Sequence, residues 1–137
     1  MSFLVDTKVL SEPARRIPEE RVVEWLREHE SDLYVSTITI GELRRGIERL
    51  PDLKRIDQLR IWLQALCECM KGRVLSFNTS TAHAWGQLKA GWEGKGITIP
   101  SLDSQIAATA LRYQLTLVTR NTADFEKTGV KVINPFE

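Results

Sequence analysis

The chain has 137 residues, of which 42% are hydrophobic and 27% charged, a composition that excludes a largely disordered protein. Its length predicts one domain, residues 1–137, large enough to bury a core without disulfide bonds or a structural metal. The formal net charge of +1 excludes a strongly basic nucleic-acid-binding protein, so any contact with nucleic acid must depend on local charge or on a metal ion.

Targeting and redox features predict a cytoplasmic protein without a membrane contact. No apolar run approaches the ~20 residues that span a bilayer, and the first residues lack the basic and apolar regions of a signal peptide. Cys67 and Cys69 point to different sides of a predicted helix, so we expect free thiols. A zinc site is not expected, because His29 and His83 have no ligand spacing with these cysteines.

In the first half of the chain, apolar patterns predict strands that alternate with helices. Pro18 suits the first turn of a helix, and Pro51 and Gly72 end the two later helical patterns. The predicted elements are a strand at 3–5, a turn or short helix at 7–10, a helix at 18–30, a strand at 33–37, a helix at 38–50 and a long helix over 56–70.

The second half continues this alternation. The predicted elements are a strand at 73–77, a helix at 80–92, a turn at 94–96, a short apolar stretch at 97–99, a helix at 102–113 and strands at 115–119 and 130–133. Strands that alternate with helices predict an α/β fold, with a mainly parallel central sheet flanked by helices on both faces. In such folds the ligand site lies beyond the carboxyl ends of the strands.

Acidic residues occur at the positions that this rule singles out. Asp6 follows the first strand, Glu42 lies one turn into the helix after the second, and Asp103 lies in the first turn of a later helix. Asn121 and Asp124 follow the strand at 115–119. Each residue alone is explained by a turn or by the dipole of a helix, so the interpretation depends on their common edge of the sheet.

Carboxylates gathered at one edge repel one another unless a cation joins them. Hard oxygen ligands select Mg²⁺ or Mn²⁺ over zinc. Such an ion assists phosphodiester hydrolysis by polarising the phosphoryl oxygen and by helping to ionise water. The pattern therefore predicts a metal-dependent phosphodiesterase centre.

Five segments, in order along nearly the whole chain, carry a family resemblance. They are Phe3–Pro13, Ser36–Ile47, Ile99–Ala110, Leu117–Phe125 and Val132–Phe136. Together they resemble the motifs of PIN-domain ribonucleases, with the greatest similarity to the toxins of VapBC-type toxin–antitoxin pairs, including the FitB-like branch. One such motif would be weak, whereas five in register form a specific signal.

The resemblance implies a PIN fold, Mg²⁺- or Mn²⁺-dependent cleavage of RNA, a homodimer and inhibition by a VapB-like, DNA-binding antitoxin. It implies that Asp6 and Asp103 are metal ligands and that Glu42 is a third ligand or orients water. Family members often have Asp where this chain has Asn121, so we assign the fourth catalytic acid to Asp124 and substrate contact to Asn121.

Lys8 departs from the family pattern, whose first motif usually reads Asp-Thr-Asn where this chain reads Asp6-Thr7-Lys8. Three roles stay open. The ammonium can extend into solvent, contact an RNA phosphate or a carboxylate, or compete with Mg²⁺. We hypothesise that it lowers the affinity for the metal.

Other side chains are candidates for binding surfaces. Arg44 and Arg45, with Arg49 beyond them, form a basic edge on the helix of Glu42 and, together with Lys8, are the predicted substrate contacts; a solvated helix face is an equal alternative. Further charge near the same site is predicted from Arg15, Arg16 and Arg120. Trp25 and Trp85 are predicted core residues, whereas Trp62 and Trp92 are assigned to an interface or to the core.

Three other functions fit the residues less well. A response-regulator-like domain needs an adjacent acidic pair after the first strand and a late lysine, whereas this chain has a lone Asp6 and Arg120. A haloacid-dehalogenase-type phosphatase needs a second Asp at the position of Lys8. The remaining alternative is a weakened or inactive PIN-fold subunit that binds antitoxin or RNA, which Lys8 and Asn121 keep open.

Overall fold

The computed structural model describes residues 1–137 as a parallel sheet covered by helices. The elements in chain order are β1 (Phe3–Val5), α1 (Thr7–Leu10), α2 (Glu20–Glu28), β2 (Leu33–Ser36), α3 (Thr37–Glu48), α4 (Leu53–Cys69), β3 (Val74–Leu75), α5 (Thr79–Gly94), α6 (Ser101–Arg112), β4 (Thr116–Val118), α7 (Thr122–Glu126) and β5 (Val132–Ile133). The strand order is β3-β2-β1-β4-β5, and every neighbouring pair is parallel. The predicted α/β class is confirmed.

The sheet separates two hydrophobic cores because side chains alternate along each strand. Phe3 and Val5 of β1 face a core shared with α1 to α4, whereas Leu4 faces a second core shared with α5, α6 and α7. On β4, Val118 likewise faces the first core and Leu117 the second. Both faces of the central strands are therefore buried, which explains their uninterrupted apolar sequences.

The helices begin where short polar side chains can satisfy their free N–H groups. Asp6 caps α1, Ser36 caps α3, Asp52 caps α4 and Asn78 caps α5, each by accepting a backbone hydrogen bond. Helix α6 has Pro100 at its N-cap position and, like α2 and α7, has no side-chain cap. Its first turn therefore depends on contacts from elsewhere in the protein.

Several predicted boundaries were wrong at the edges of the sheet. The predicted strands 73–77 and 130–133 shorten to two residues each, β3 and β5, because these edge strands have a neighbour on one side only. Helix α5 continues through Gly94, which was predicted to lie in a turn. The turn lies at Lys95 and Gly96 instead, where Gly96 has a φ of +77° that favours glycine.

The tryptophans were only partly assigned by their sequence pattern. Trp92 is 6% exposed and packs in the second core, so of its two predicted alternatives the core is confirmed. Trp25 and Trp62 are half-buried against the first core, and Trp85 is half-buried against the second.

None of the helices is both long and apolar enough to cross a bilayer.

The strand order also locates a crevice at the carboxyl edge of the sheet. The chain proceeds from β1 to β2 and β3 on one side, and returns to place β4 and β5 on the other. Loops therefore leave in opposite directions from the carboxyl ends of β1 and β4, and this divergence opens a crevice between them. Asp6 and Thr119 are the first residues beyond these two strands.

Candidate active site

Asp6 is fixed at the bottom of this crevice by backbone and side-chain bonds. Its N–H donates to the carbonyl of Val118 at 2.9 Å, which continues the pairing of β1 with β4. Its Oδ1 accepts from the N–H of Thr7 at 2.8 Å, and its Oδ2 accepts from Oγ1 of the buried Thr119 at 2.9 Å. The carboxylate is half-buried and held in one orientation, as a metal ligand requires.

Glu42 reaches the same crevice from α3, where it is half-buried. Its Oε1 accepts a hydrogen bond from Oγ1 of Thr7 at 3.2 Å, so Thr7 links the Glu42 and Asp6 carboxylates. Burial is the largest cause that raises the pKa of Glu42, and the nearby Asp6 charge raises it further. The Thr7 hydrogen bond and the Arg45 charge act in the opposite direction.

Asp103 completes the acidic centre from the first turn of α6. The pKa of its half-buried carboxyl group is raised from 3.8 to about 6, mostly by burial and further by the charges of Asp6, Glu42 and Asp124. The charge of Lys8 lowers it. These mutual influences show that side chains more than sixty positions apart in the sequence share one electrostatic environment.

The three carboxylates line a cleft of about 210 Å³. Its lining residues are Asp6, Thr7, Lys8, Glu42, Asp103, Thr119, Arg120, Asn121 and Phe125. The structure therefore brings together six residues that the sequence singled out, namely Asp6, Lys8, Glu42, Asp103, Arg120 and Asn121. Thr7, Thr119 and Phe125 were not assigned to the site. Thr7 and Phe125 directly follow Asp6 and Asp124 in the sequence, and Thr119 ends the predicted strand at 115–119.

Asp124 does not line the cleft, although its charge reaches Asp103. Its side chain is exposed, and its Oδ2 accepts a hydrogen bond from Nδ2 of Asn121. Asn121 is the residue that lines the cleft, and its N–H donates to Oγ1 of Thr119 at 3.1 Å. Asn121 therefore links the Asp124 carboxylate, through its side-chain amide, to the Thr119 hydroxyl that binds Asp6, through its backbone N–H.

One arginine of the basic edge predicted on α3 is engaged outside the cleft. Arg44 lies outside the cleft lining, and its Nε donates to Glu48 at 2.9 Å. Arg60 of α4 binds the same carboxylate through two nitrogens, which lowers the pKa of Glu48 to about 2. Arg45 is exposed and acts on the site through its charge on Glu42.

Only one of the three arginines predicted near the site lies in the cleft lining. Arg15 binds the buried Glu12 at 3.3 Å, and Arg16 lies 4.0 Å from Asp52, so both contact acids outside the cleft. Arg120 alone among them lines the cleft. Of these three arginines, only Arg120, which lies just after β4, therefore adds positive charge to the cleft.

The first turn of α6 is held by α5 in place of a capping side chain. Nε1 of Trp85 donates to Oγ of the buried Ser104 at 2.9 Å, and that hydroxyl donates to the carbonyl of Ser101 at 2.6 Å. One turn further along α5, Nζ of Lys89 donates to the carbonyl of Ile99 at 2.7 Å. These bonds fix the segment that presents Asp103.

We expect Ser104→Ala to lower the free energy of unfolding by roughly 1–3 kcal/mol, because it leaves the Trp85 N–H without a partner. Trp85→Phe should cost less hydrogen-bonding energy, since it removes the donor and leaves Ser104 bonded to Ser101. Urea unfolding of both variants and of the double variant forms a cycle that should give a coupling of about 1 kcal/mol. Additive losses would show that this hydrogen bond contributes nothing.

The donors in the cleft fit a hard divalent cation. Carboxylate and hydroxyl oxygens prefer Mg²⁺ or Mn²⁺, and the repulsion that raises the pKa of Asp103 is relieved by a bound cation. No group of three or more His, Cys, Asp or Glu side chains is arranged to hold an ion by itself. This is compatible with Mg²⁺, which is commonly bound by one or two carboxylates and keeps several waters.

Comparisons with known proteins agree with this architecture. The toxin FitB of Neisseria gonorrhoeae is 39% identical over 98% of this chain and 98% of its own length. The VapC ribonuclease Y4jK of Sinorhizobium fredii is 36% identical, again over 98% of each chain. The crystal structure of FitAcB from Neisseria gonorrhoeae superposes with a TM-score of 0.91 at 39% identity, covering 98% of this chain and 99% of the other.

The family of the chain follows from a match that spans most of its length. Residues 3–131 match the PIN domain, a range that includes all of the residues that line the acidic cleft. The parallel sheet, the position of the cleft and the relatives in two bacterial species agree with that match. The chain belongs to the PIN domain family.

Proposed function

We propose that this chain is a Mg²⁺- or Mn²⁺-dependent endoribonuclease and the toxin of a type II toxin–antitoxin pair. The observation that carries the proposal is the convergence of Asp6, Glu42 and Asp103, from three separate elements, in one cleft at the carboxyl edge of the sheet. The similarity to a VapC ribonuclease and to the toxin FitB supports the choice of RNA as substrate and of toxin as role.

Asp6 and Asp103 would hold the metal ion, with water completing its coordination. Once bound, the ion would polarise a phosphoryl oxygen and favour ionisation of the attacking water. The backbone N–H of Thr7 and the hydroxyl of Thr119 keep the Asp6 carboxylate turned into the cleft. The carboxylate of Asp103 is available at neutral pH because its pKa of about 6 leaves it mostly ionised.

Glu42 is the residue best suited to orient and deprotonate the attacking water. Thr7 binds its Oε1 at 3.2 Å, so the second carboxylate oxygen can accept a hydrogen bond from water. The raised pKa of Glu42 makes it a better proton acceptor than an exposed glutamate. Asp124 would support this centre from outside the cleft, through Asn121 and through its charge.

Substrate contact is proposed for Lys8 and Asn121, which line the cleft, and for Arg45 beside it. Arg44 would contribute only after leaving Glu48, so we expect its effect to be smaller. A VapB-like DNA-binding antitoxin, a homodimeric state and a cytoplasmic location are proposed from the family and its toxins. The free thiols of Cys67 and Cys69 agree with that location.

Cleavage of a mixed panel of fluorogenic single-stranded RNAs by antitoxin-free protein tests the proposal. We expect hydrolysis with Mg²⁺ or Mn²⁺, none in EDTA, and a loss of at least about 100-fold in Asp103→Ala. Glu68→Ala, which removes an exposed carboxylate at the far end of α4, is the matched control and should retain full activity. Cleavage that persists in EDTA or in Asp103→Ala would overturn the proposal.

A second candidate is a PIN-fold subunit that binds its partners without efficient cleavage. The position of the Lys8 side chain in the lining of the cleft favours it, since an ammonium there opposes a divalent cation. In that case the folded wild-type protein would bind RNA or antitoxin but cleave none of the RNA panel. The same assay, run with Lys8→Asn, distinguishes two cases. A gain of cleavage would show a catalytic centre that Lys8 disables, and no gain would show that the chain has no catalytic centre.

A further inference from the structure

Besides Lys8, Arg120 is the other basic residue that lines the cleft. It follows Thr119 directly and contributes to the cleft lining beside the acidic centre. It takes part in none of the ion pairs of the structure, which all join other residues. Its charge is therefore not neutralised by the protein, in contrast to that of Arg44.

An aromatic ring holds this guanidinium in place. The Cζ atom of Arg120 lies 4.4 Å from the centroid of the Phe136 ring. A cation–π contact with an aromatic face uses none of the N–H donors of a guanidinium, so they remain available to oxygen acceptors. The ring thus restricts the arginine without occupying its hydrogen-bond donors.

The C-terminal turn that carries Phe136 is itself anchored. The N–H of Phe136 donates to Oδ1 of Asn134 at 2.9 Å, and its carbonyl accepts from Arg21 of α2 at 3.2 Å. Nδ2 of Asn134 donates to the backbone carbonyl of Arg120 at 3.4 Å. The turn after β5 therefore contacts both the backbone and the side chain of Arg120.

We propose that Arg120, held on the face of Phe136, is the phosphate-binding arm of the cleft and takes a backbone phosphate of single-stranded RNA beside the acidic centre. This inference rests on the proposed ribonuclease function. The three carboxylates repel a polyanion, so the substrate needs a compensating cation next to them. The planar fork of arginine matches two phosphate oxygens, and a preoriented fork loses less freedom on binding.

Binding of a fluorescein-labelled single-stranded RNA, measured by anisotropy in EDTA, tests the arm without catalysis. We expect Arg120→Met to weaken binding about tenfold and to reduce the slope of log K against log salt concentration by about 0.7, the value for one lost phosphate contact. Phe136→Leu should weaken binding about threefold, and Phe136→Trp should restore it, because only the latter retains an aromatic face.

Arg112→Met supplies a matched control. Arg112 also stands over an aromatic ring, 4.8 Å from the centroid of Tyr113, but at the opposite end of α6 from Asp103. The Arg112→Met variant should bind RNA with the affinity of the wild type. Titration calorimetry with Mg²⁺ should give the same affinity for Phe136→Leu and the wild type, which separates loss of the arm from collapse of the site.

The outcomes distinguish this inference from the function on which it rests. Wild-type affinity in Arg120→Met or in Phe136→Leu would overturn the arm and leave the ribonuclease standing. An equal loss in Arg112→Met would also overturn it, because the effect would then be one of general charge. A wild-type protein that binds no RNA and cleaves none would overturn both.

Discussion

Replacing Asp103 by asparagine should abolish RNA cleavage and at the same time make the metal-free protein more stable. The substitution keeps the shape of the side chain and removes one of the carboxylates that crowd the cleft. Burial and the charges of Asp6, Glu42 and Asp124 disfavour the ionised form of Asp103 in the folded protein. Above pH 6 that ionised form lowers the stability of the fold, and asparagine removes this cost.

The sign of the pH dependence follows from the same pKa. The folded chain takes up the Asp103 proton near pH 6, whereas the unfolded chain does so near 3.8. In EDTA the wild type should therefore gain stability from this group as the pH falls from about 7 to 4, and Asp103→Asn should lack that gain. Saturating Mg²⁺ should reverse the order of the two proteins, because the ion binds the ionised wild-type site.

Thermal melting in EDTA and in saturating Mg²⁺ measures both effects. Because the carboxyl group is only half-buried, solvent screening reduces the gain, and we expect Asp103→Asn to melt about 2–5 °C higher in EDTA at pH 7.5. Asp124→Asn, which changes an exposed carboxylate outside the cleft lining, should shift the melting temperature less. An Asp103→Asn protein that melts below the wild type in EDTA would contradict the crowding of charges at this edge.

The acidic centre was accessible from the sequence because local patterns mark its components. An apolar run that stops at Asp6 identifies the end of a strand, and Pro100 followed by Ser101 identifies the start of the helix that carries Asp103. The rule for parallel sheets then places both at one edge. No pairing of distant strands had to be known for this step.

The contacts that organise the centre were not accessible in the same way. The threonine hydroxyls that bind Asp6 and Glu42 depend on β1 lying between β2 and β4, and this order is set by packing across the whole chain. The capture of Arg44 by Glu48 and Arg60 depends on how α3 packs against α4. A basic side chain in sequence therefore predicts charge but not where that charge is directed.

The sequence could not predict for a related reason whether a tryptophan is buried or exposed. Trp92 lies on a long helix whose pattern suits either an interface or a core, and only the packing of α5 on α6 buries it. The same packing brings Trp85 to Ser104, which holds the uncapped first turn of α6. Tertiary packing thus fixes the position of the Asp103 side chain, although the sequence alone identifies Asp103 as a candidate site residue.

Replacing Lys8 should increase the affinity of the cleft for Mg²⁺. Lys8 lines the cleft two positions after Asp6, makes no ion pair with a neighbouring acid, and lowers the pKa of Asp103 through its charge. An ammonium that favours the ionised Asp103 also repels a divalent cation at the same carboxylates. We expect Lys8→Met to bind Mg²⁺ roughly three- to tenfold more tightly in titration calorimetry at low salt, with a smaller gain at high salt.

Comparing two substitutions separates the charge of Lys8 from the absence of an asparagine amide at this position. Lys8→Met removes the charge and keeps a long side chain, whereas Lys8→Asn also adds a hydrogen-bonding group beside Asp6. If repulsion alone limits the metal, both variants should bind Mg²⁺ equally well. Tighter binding by Lys8→Asn alone would assign the effect to the missing amide. A rise in KM for RNA in both variants, with unchanged Mg²⁺ affinity, would instead make Lys8 a substrate contact and refute its competition with the metal.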